Sequence, residues 1–293
     1  MLSPHPSLSQ NRLWLPRLSL TSCIRSIVSR STVGIALPAG QRMNFFPATP
    51  LCSISWMFAG SSERYESSVP DSPDSPRRQM PSALMFAGPQ SQPSSTWNPG
   101  PGHGMMLMLL PDALQQLTGI EPAAWVNRYV DARGLLPADW VRCCEAVVDA
   151  PDDDARVRML EDFIDPLWQA RRPQQPFNAQ RLQDWSQGLA MRAACSPTGR
   201  GLRQVERRIK QWAGLPMREL QGMARAEQAF FQIMEAEAQS TLHWPDMAAD
   251  CGYADQSHLC RVTRRITGFA PEALRQRIAR DEAFWIYRLW MES

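Results

Sequence analysis

Two kinds of apolar spacing divide this chain. Between about Cys23 and Gly60, short apolar runs such as SIVSRSTVGIAL and LCSISWMFAG alternate with proline and glycine, the texture of β-strands. ALMFAG and GMMLMLL, the second preceded by the turn-forming NPGPGHG, predict two more buried strands. Before them SSERYESSVPDSPDSPRRQMPS, rich in Ser, Pro and Asp, predicts a long exposed loop. From Pro111 the period changes to that of helices: LPDALQQLTG and PAAWVNRYVDA have helical spacing, and Leu136 to Trp168 predicts two more helices. Asp152, Asp153 and Asp154 suit the start of the second of these, where the helix dipole favours negative charge. Everything after Gln175 reads as helical. The expected fold is an α+β N-terminal domain followed by an all-α domain with two helix-turn-helix units joined by a long helix. Residues 1–19 read as a loose tail, 20–169 as an α+β domain, 170–176 as a linker and 177–293 as the helical domain.

The helical part carries one pattern twice. Ala194 falls on Ala248 without a gap, which places Val205 on Leu259, Arg207 on Arg261, Ile209 on Thr263, Lys210 on Arg264 and Gly214 on Gly268. Each copy predicts a helix, a tight turn, a second helix and a terminating glycine. In the second copy Pro245 suits a first helical turn, Gly252 permits the positive φ of the turn, and Asp255 suits the N-cap. Leu259, Val262 and Ile266 form its inward stripe, and Gly268 ends it. In the first copy Thr198 stands where the turn glycine would be, with Gly199 next to it, and Leu202, Val205, Ile209 and Trp212 form the predicted inward stripe. Its opposite face holds Arg203, Glu206, Arg207 and Lys210. MRELQGMARAEQAFFQIMEAE, between the copies, is a long amphipathic helix that would set two reading heads at a fixed separation. A helix-turn-helix with a basic outer face has the shape of a major-groove reader.

Composition sharpens this picture in a few places. At 293 residues, 44% hydrophobic and 20% charged, the chain has room for two globular domains. The net charge of +2 creates no global field toward nucleic acid, so basic residues matter only where they cluster. Of 31 Lys+Arg only Lys210 is lysine; the arginine fork fits phosphates and guanine edges. The 7 cysteines contain no Cys-x-x-Cys and no zinc-ligand spacing, which points to free thiols in a reducing cytosol and to no metal. The longest apolar run, Met105 to Leu110, is too short for a bilayer, and Arg12, Arg17 and Arg25 interrupt any signal-peptide core. A cytoplasmic protein without membrane contact is expected. Hydrolase, nucleotide and dinucleotide motifs do not occur, and Cys143–Cys144 has only Arg142 as a basic neighbour, so no catalytic residue, no cofactor and no enzyme are expected. Phe45, Phe46, Trp56 and Trp97 are candidate pocket aromatics, and His103 is a candidate polar contact.

The stretch GYADQSHLCRVTRRITGFAP resembles the second helix-turn-helix of AraC/XylS-family transcription regulators, through Gly252, Tyr253, Asp255, Ser257, Leu259, Arg261, Gly268 and Pro271. It departs from the family pattern at Thr263, where an aromatic is usual, and at Ala270. The first copy is similar to the family's first motif through Gly199, Arg203, Val205, Arg207 and Ile209, with Gly201 in place of serine; Arg225 and Ala229 match its linker helix. The resemblance implies two units entering successive major grooves. Its base-reading residues would be Arg203, Glu206 and Arg207 in the first unit and Gln256, Ser257, His258 and Arg261 in the second, with Lys210, Arg264 and Arg265 on phosphate. It implies promoter DNA and RNA polymerase as partners and admits a homodimer and a small-molecule effector in the N-terminal half, whose binding residues stay unknown. The alternative is a helical protein-interaction module whose helix-turn-helix no longer binds DNA; a steep salt dependence of duplex binding separates the two.

Overall fold

The computed structural model describes residues 9–173, 181–196, 201–239 and 243–291. Its first half forms β1 (Gln10–Trp14), β2 (Ile24–Ser31), β3 (Met43–Phe46), β4 (Cys52–Ala59), β5 (Glu63–Tyr65), β6 (Arg77–Gln79), β7 (Leu84–Ala87), β8 (Ser94–Trp97), β9 (His103–Leu109) and β10 (Tyr129–Asp131). They make two antiparallel sheets, a six-stranded one in the order β1-β2-β9-β4-β7-β10 and a four-stranded one in the order β3-β8-β5-β6. β4 shows the logic of the larger sheet. Cys52, Ile54 and Trp56 are buried on one face, while Ser53 and Ser55 alternate onto the other and face the space between the sheets. Trp56 Nε1 donates to the Cys144 carbonyl at 2.9 Å, fastening that face to a helix.

The helices α1 (Pro111–Thr118), α2 (Ala138–Val148) and α3 (Asp153–Arg171) complete the first half. Asp152 caps α3 by accepting from Ala155 N at 2.8 Å. The neighbouring carboxylates diverge: Asp153 meets His103 and Arg156, and Asp154 meets Arg12 and Trp14. They hold the helix start against the sheet and do not converge on a common point. The second half is α4 (Leu182–Cys195), α5 (Leu202–Ala213), α6 (Met217–Ala238), α7 (Trp244–Asp250), α8 (Gln256–Thr267), α9 (Pro271–Arg280) and α10 (Trp285–Met291).

Four expectations change. Gln10–Trp14 is not tail but the edge strand β1, in register with β2 from Gln10 opposite Ser31 to Trp14 opposite Ile27; residues 1–8 lie outside the described residues. The predicted loop after Gly60 contains the hairpin β5–β6, pairing Glu63 with Gln79. PAAWVNRYVDA is a short 3-10 turn followed by the strand β10, with Asn127 at φ 60 between them. Finally α3 runs on to Arg171, into the expected linker; 174–176 lie outside the described residues. The strands among these are three to five residues long, too short for a period to show in sequence.

The two halves share a core. One apolar cluster runs from Leu20 and Ile54 through Trp140 and Trp168 to Leu189, Ile209 and Ile266. Trp185 donates to Asp112 at 2.8 Å, Arg25 pairs with Glu227 at 3.0 Å, and Ala48 N donates to the Ile266 carbonyl at 2.7 Å. The closing DEAFWIYRLW packs back onto the sheets, with Phe284 stacked on Phe45 at 4.9 Å.

Candidate nucleic-acid interface

Two helix pairs, α4–α5 and α7–α8, flank the linker helix α6. The second pair is built as its sequence dictates. Gly252 adopts φ 71 in the turn, and the Tyr253 amide closes it onto the Ala248 carbonyl at 2.8 Å. Asp255 caps α8 by accepting from His258 N at 2.6 Å, and Gly268 ends it at φ 87. Leu259 and Ile266 are buried, and Val262 is half-buried. Met247, Ala248, Cys251, Tyr253 and Leu259 pack with Ala229 and Ile233 of α6 into a small core of their own. Burial pushes the Cys251 thiol up to about 11 and the Tyr253 hydroxyl up to about 12, so both stay neutral core groups.

The first pair differs from expectation at one end. Ile209 is buried and Val205 and Trp212 are half-buried, as predicted, but Leu202 is 88% exposed and leaves the stripe. Gly201 is the N-cap, so Leu202 sits in the first turn of α5, beyond the reach of α4. Thr198 and Gly199, read as the turn, lie outside the described residues. Arg208 is buried instead, and its Nε donates to the Ala193 carbonyl at 3.0 Å near the end of α4. Sequence reasoning passed over Arg208, whose inward phase, between Val205 and Trp212, was the available signal.

Across the repeat, Arg203 matches Ser257, Arg207 matches Arg261, and Lys210 matches Arg264. All six are exposed, and their spacing of four and three residues sets each trio along one outward face. Arg265 and Gln256 are also exposed. Several surface arginines elsewhere are paired with carboxylates, Arg12 with Asp154, Arg17 with Asp162, Arg78 with Glu66 and Arg133 with Glu145, while others, such as Arg142 and Arg158, are exposed without an ion pair among the described residues. Among the described residues, Arg203, Arg207, Lys210, Arg261, Arg264 and Arg265 form no ion pair. Two in-register outward rows, with five cations that form no ion pair and Ser257, therefore project from one half of the protein.

Three candidates have local work. Glu206 accepts from Met217 N at 3.2 Å and so ties α5 to the start of α6. The His258 ring lies edge-on to Tyr253 with centroids 5.3 Å apart, and the Ala254 amide points at its Nδ1 at 3.4 Å. Arg265 leans over α6: a Cβ on Gly222 would meet its Nη2 at 2.8 Å. Thr263, in the place of the usual aromatic, is buried and borders a cavity of about 110 Å³ between the two halves.

Of the four candidate pocket aromatics, Phe46 borders a cavity between the sheets, Trp56 turns to the helix-covered face of β4, and Phe45 and Trp97 are packed in one core cluster with Phe284. His103 is on β9 and reaches Asp153 at 3.1 Å. Burial pushes the Cys143 thiol up to about 11 and that of Cys144 up to about 12, so neither is a nucleophile at neutral pH. Among the described residues no helix is long and apolar enough to cross a membrane, and no group of three metal-ligating side chains converges.

Residues 234–276 match the family model of bacterial regulatory helix-turn-helix proteins, AraC family. The chain carries an AraC-family helix-turn-helix. The matched segment runs from the end of α6 into α9 and contains the second unit, with Gln256, Ser257, His258, Arg261, Arg264 and Arg265. No curated protein matches the sequence. Solved structures that align along its length include ToxT from Vibrio cholerae, 9% identical over 93% of this chain and 98% of that one with a TM-score of 0.38. The AraC-like transcriptional activator CuxR is 13% identical over 98% of this chain and 91% of that one, with a TM-score of 0.24. Function does not follow from likeness at that level; it is carried by the AraC-type unit and by the geometry around it.

Proposed function

We propose that this protein is a sequence-specific DNA-binding transcription regulator whose two helix-turn-helix units read successive major grooves. The observation that carries the reading is the pair of matching outward rows, Arg203–Arg207–Lys210 and Ser257–Arg261–Arg264, exposed and unpaired on second helices of the same design. An arginine in such a row can grip guanine O6 and N7, and Gln256 or Ser257 can meet adenine. Lys210, Arg264 and Arg265 lie further from the helix N-termini and suit phosphate contacts. Glu206 and His258 contribute through the turn and helix ends that they brace. In this reading the N-terminal half senses a small molecule or mediates dimerisation, and RNA polymerase is the downstream partner.

The test is fluorescence anisotropy of the full chain on duplexes selected from a random pool, across a salt series. A selected consensus with two half-sites about one helical turn apart is expected, with affinity falling steeply as salt rises. If no duplex is preferred at any salt, the reading fails and a protein-interaction module takes its place.

A further inference from the structure

α5 and α8 are one design built twice, and their ends fix which residue of one corresponds to which of the other. Each is 12 residues long and each stops at a left-handed glycine, Gly214 at φ 77 and Gly268 at φ 87. Their N-caps are Gly201 and Asp255, so Leu202 and Gln256 are the first residues of the two helices, Arg203 and Ser257 the second, and Arg207 and Arg261 the sixth. At the sixth position the chemistry is the same. At the first two it is not: an alkyl chain and a guanidinium stand where the other unit has an amide and a hydroxyl.

Leu202 is 88% exposed. Ile209, two turns further along on the same helical phase, is buried, so it is the place of Leu202 at the tip of α5, not its phase, that leaves it bare. A single exposed leucine is ordinary on a protein surface. Its position here is not. Gly201 has no side chain, so Leu202 is the first that α5 presents, one residue ahead of Arg203. The N-terminal residues of a helix docked in a major groove are those that meet base edges. Leucine offers no donor and no acceptor, and the major-groove feature that suits an alkyl chain is the C5-methyl group of thymine. Gln256, its counterpart, carries a donor and an acceptor and suits adenine N6 and N7.

We propose that Leu202 packs against a thymine methyl group in the first half-site and is a specificity-determining residue of α5. The two half-sites are then chemically unequal. Both hold a guanine, under Arg207 and Arg261; the first adds a thymine under Leu202 and the second an adenine under Gln256. Exchanging the half-sites would set the methyl group against an amide and the polar edge of adenine against an alkyl chain, leaving its donor and acceptor unpaired. The inference deepens the regulator reading and rests on it.

Deoxyuridine pairs as thymidine does and lacks only the methyl group. Fluorescence anisotropy of the full chain on its selected duplex, with each thymine replaced in turn by uracil, isolates that group. The half-site in question is the one whose base preference Arg207→Ala relaxes. Replacement of one thymine in it should weaken binding about fourfold, the factor that burial of one methyl group implies. Leu202→Ala should bind the thymine and uracil duplexes equally, with the salt slope of the wild type because no phosphate contact is lost. Its thermal midpoint should stay in place, since the side chain is exposed. Leu202→Gln, put through the same selection, should replace that thymine by adenine. A first half-site with no thymine that responds to loss of its methyl group, or a Leu202→Ala protein that still distinguishes thymine from uracil there, overturns the proposal while the regulator reading stands. A chain that prefers no duplex loses the regulator reading, and this inference with it.

Discussion

Arg207 and Arg208 are adjacent in sequence and opposite in duty. The first points outward in the row shared with Arg261, whereas the second is buried and satisfies the Ala193 carbonyl. Arg207→Ala should therefore weaken binding to the selected duplex by about 1–3 kcal/mol and relax preference within one half-site. Its urea unfolding midpoint should stay near wild type, because an exposed side chain with no partner stabilises little. Arg208→Ala should do the reverse, destabilising the fold by about 1.5–3 kcal/mol through a lost charge-assisted hydrogen bond and an orphaned carbonyl. Its salt slope on DNA should be that of the wild type. Anisotropy and urea titration on the two variants read both numbers, and a pair of variants with the same phenotype would contradict the geometry. Arg261→Ala belongs with Arg207→Ala and should relax the other half-site. Sequence alone assigned Arg207 and missed Arg208, since an arginine on the inward phase looks like a flaw in the stripe until the carbonyl it serves is seen. Leu202 is the converse case: its phase is inward, but it sits in a first turn with nothing opposite it.

At the scale of elements, what the sequence revealed tracks length. The helices over 138–171, the long α6 and the turn, cap and terminating glycine of the second unit were legible, because each repeats a period or places a residue with one steric role. β5, β6 and β10 were not, since three residues show no alternation and their pairing depends on partners distant in the chain. Pairing of that kind also fixes how helix ends dock. Gly268 shows it: at φ 87 its position favours glycine, and a Cβ there would meet Val69 Cγ2 at 2.3 Å. Gly268→Ala should destabilise by more than the ~1 kcal/mol expected of strain alone, and Gly268→Ala with Val69→Ala should recover the steric part, read as thermal midpoints. If the double variant is no better than the single one, Val69 does not crowd the helix end. The join of α3 to β9 titrates. Burial raises the pKa of Asp153, but hydrogen bonds from His103, Ser29 and Arg156 outweigh it and hold the carboxyl well below the usual range. A carboxyl depressed in the folded state stabilises above its unfolded pKa and loses that contribution as pH falls toward its folded one. Asp153→Asn should lower the urea midpoint at neutral pH, and the gap to wild type should narrow below about pH 4. A gap unchanged at pH 3 would mean that packing, not charge, makes the join.

Over the whole molecule, the expected boundary at 170–176 separates kinds of secondary structure but not cores. α5 ends at Gly214, where a Cβ would meet the Pro122 carbonyl oxygen and Val126 Cγ2, each at 3.2 Å; α8 ends against Val69 and hands its Ile266 carbonyl to Ala48. The β half thus holds both second helices by their C-terminal ends, while Arg203 and Ser257 near the other ends face solvent. α10 goes further and buries Trp285, Ile286, Tyr287 and Leu289 among residues that include Phe45 and Val28. Such an arrangement should unfold as one unit. Tryptophan emission, reporting on 11 residues spread through both halves, and far-UV circular dichroism should give coincident urea transitions for the full chain. The fragment 177–293, deprived of the sheets, would expose the aromatic face of its last helix together with Leu215 and Ile266, and should bind a hydrophobic dye and associate. Because helix geometry within each unit depends on local caps, Arg207 and Arg261 would survive in such a fragment as chemistry, but their relative placement would lose the clamp supplied by Val69, Ala48 and Pro122. The fragment should therefore tolerate changes in half-site spacing that the full chain rejects, measured by anisotropy on duplexes with one to three base pairs inserted between the half-sites. A monomeric, cooperatively folding fragment with the spacing preference of the full chain would place the setting of the two helices inside the helical half alone.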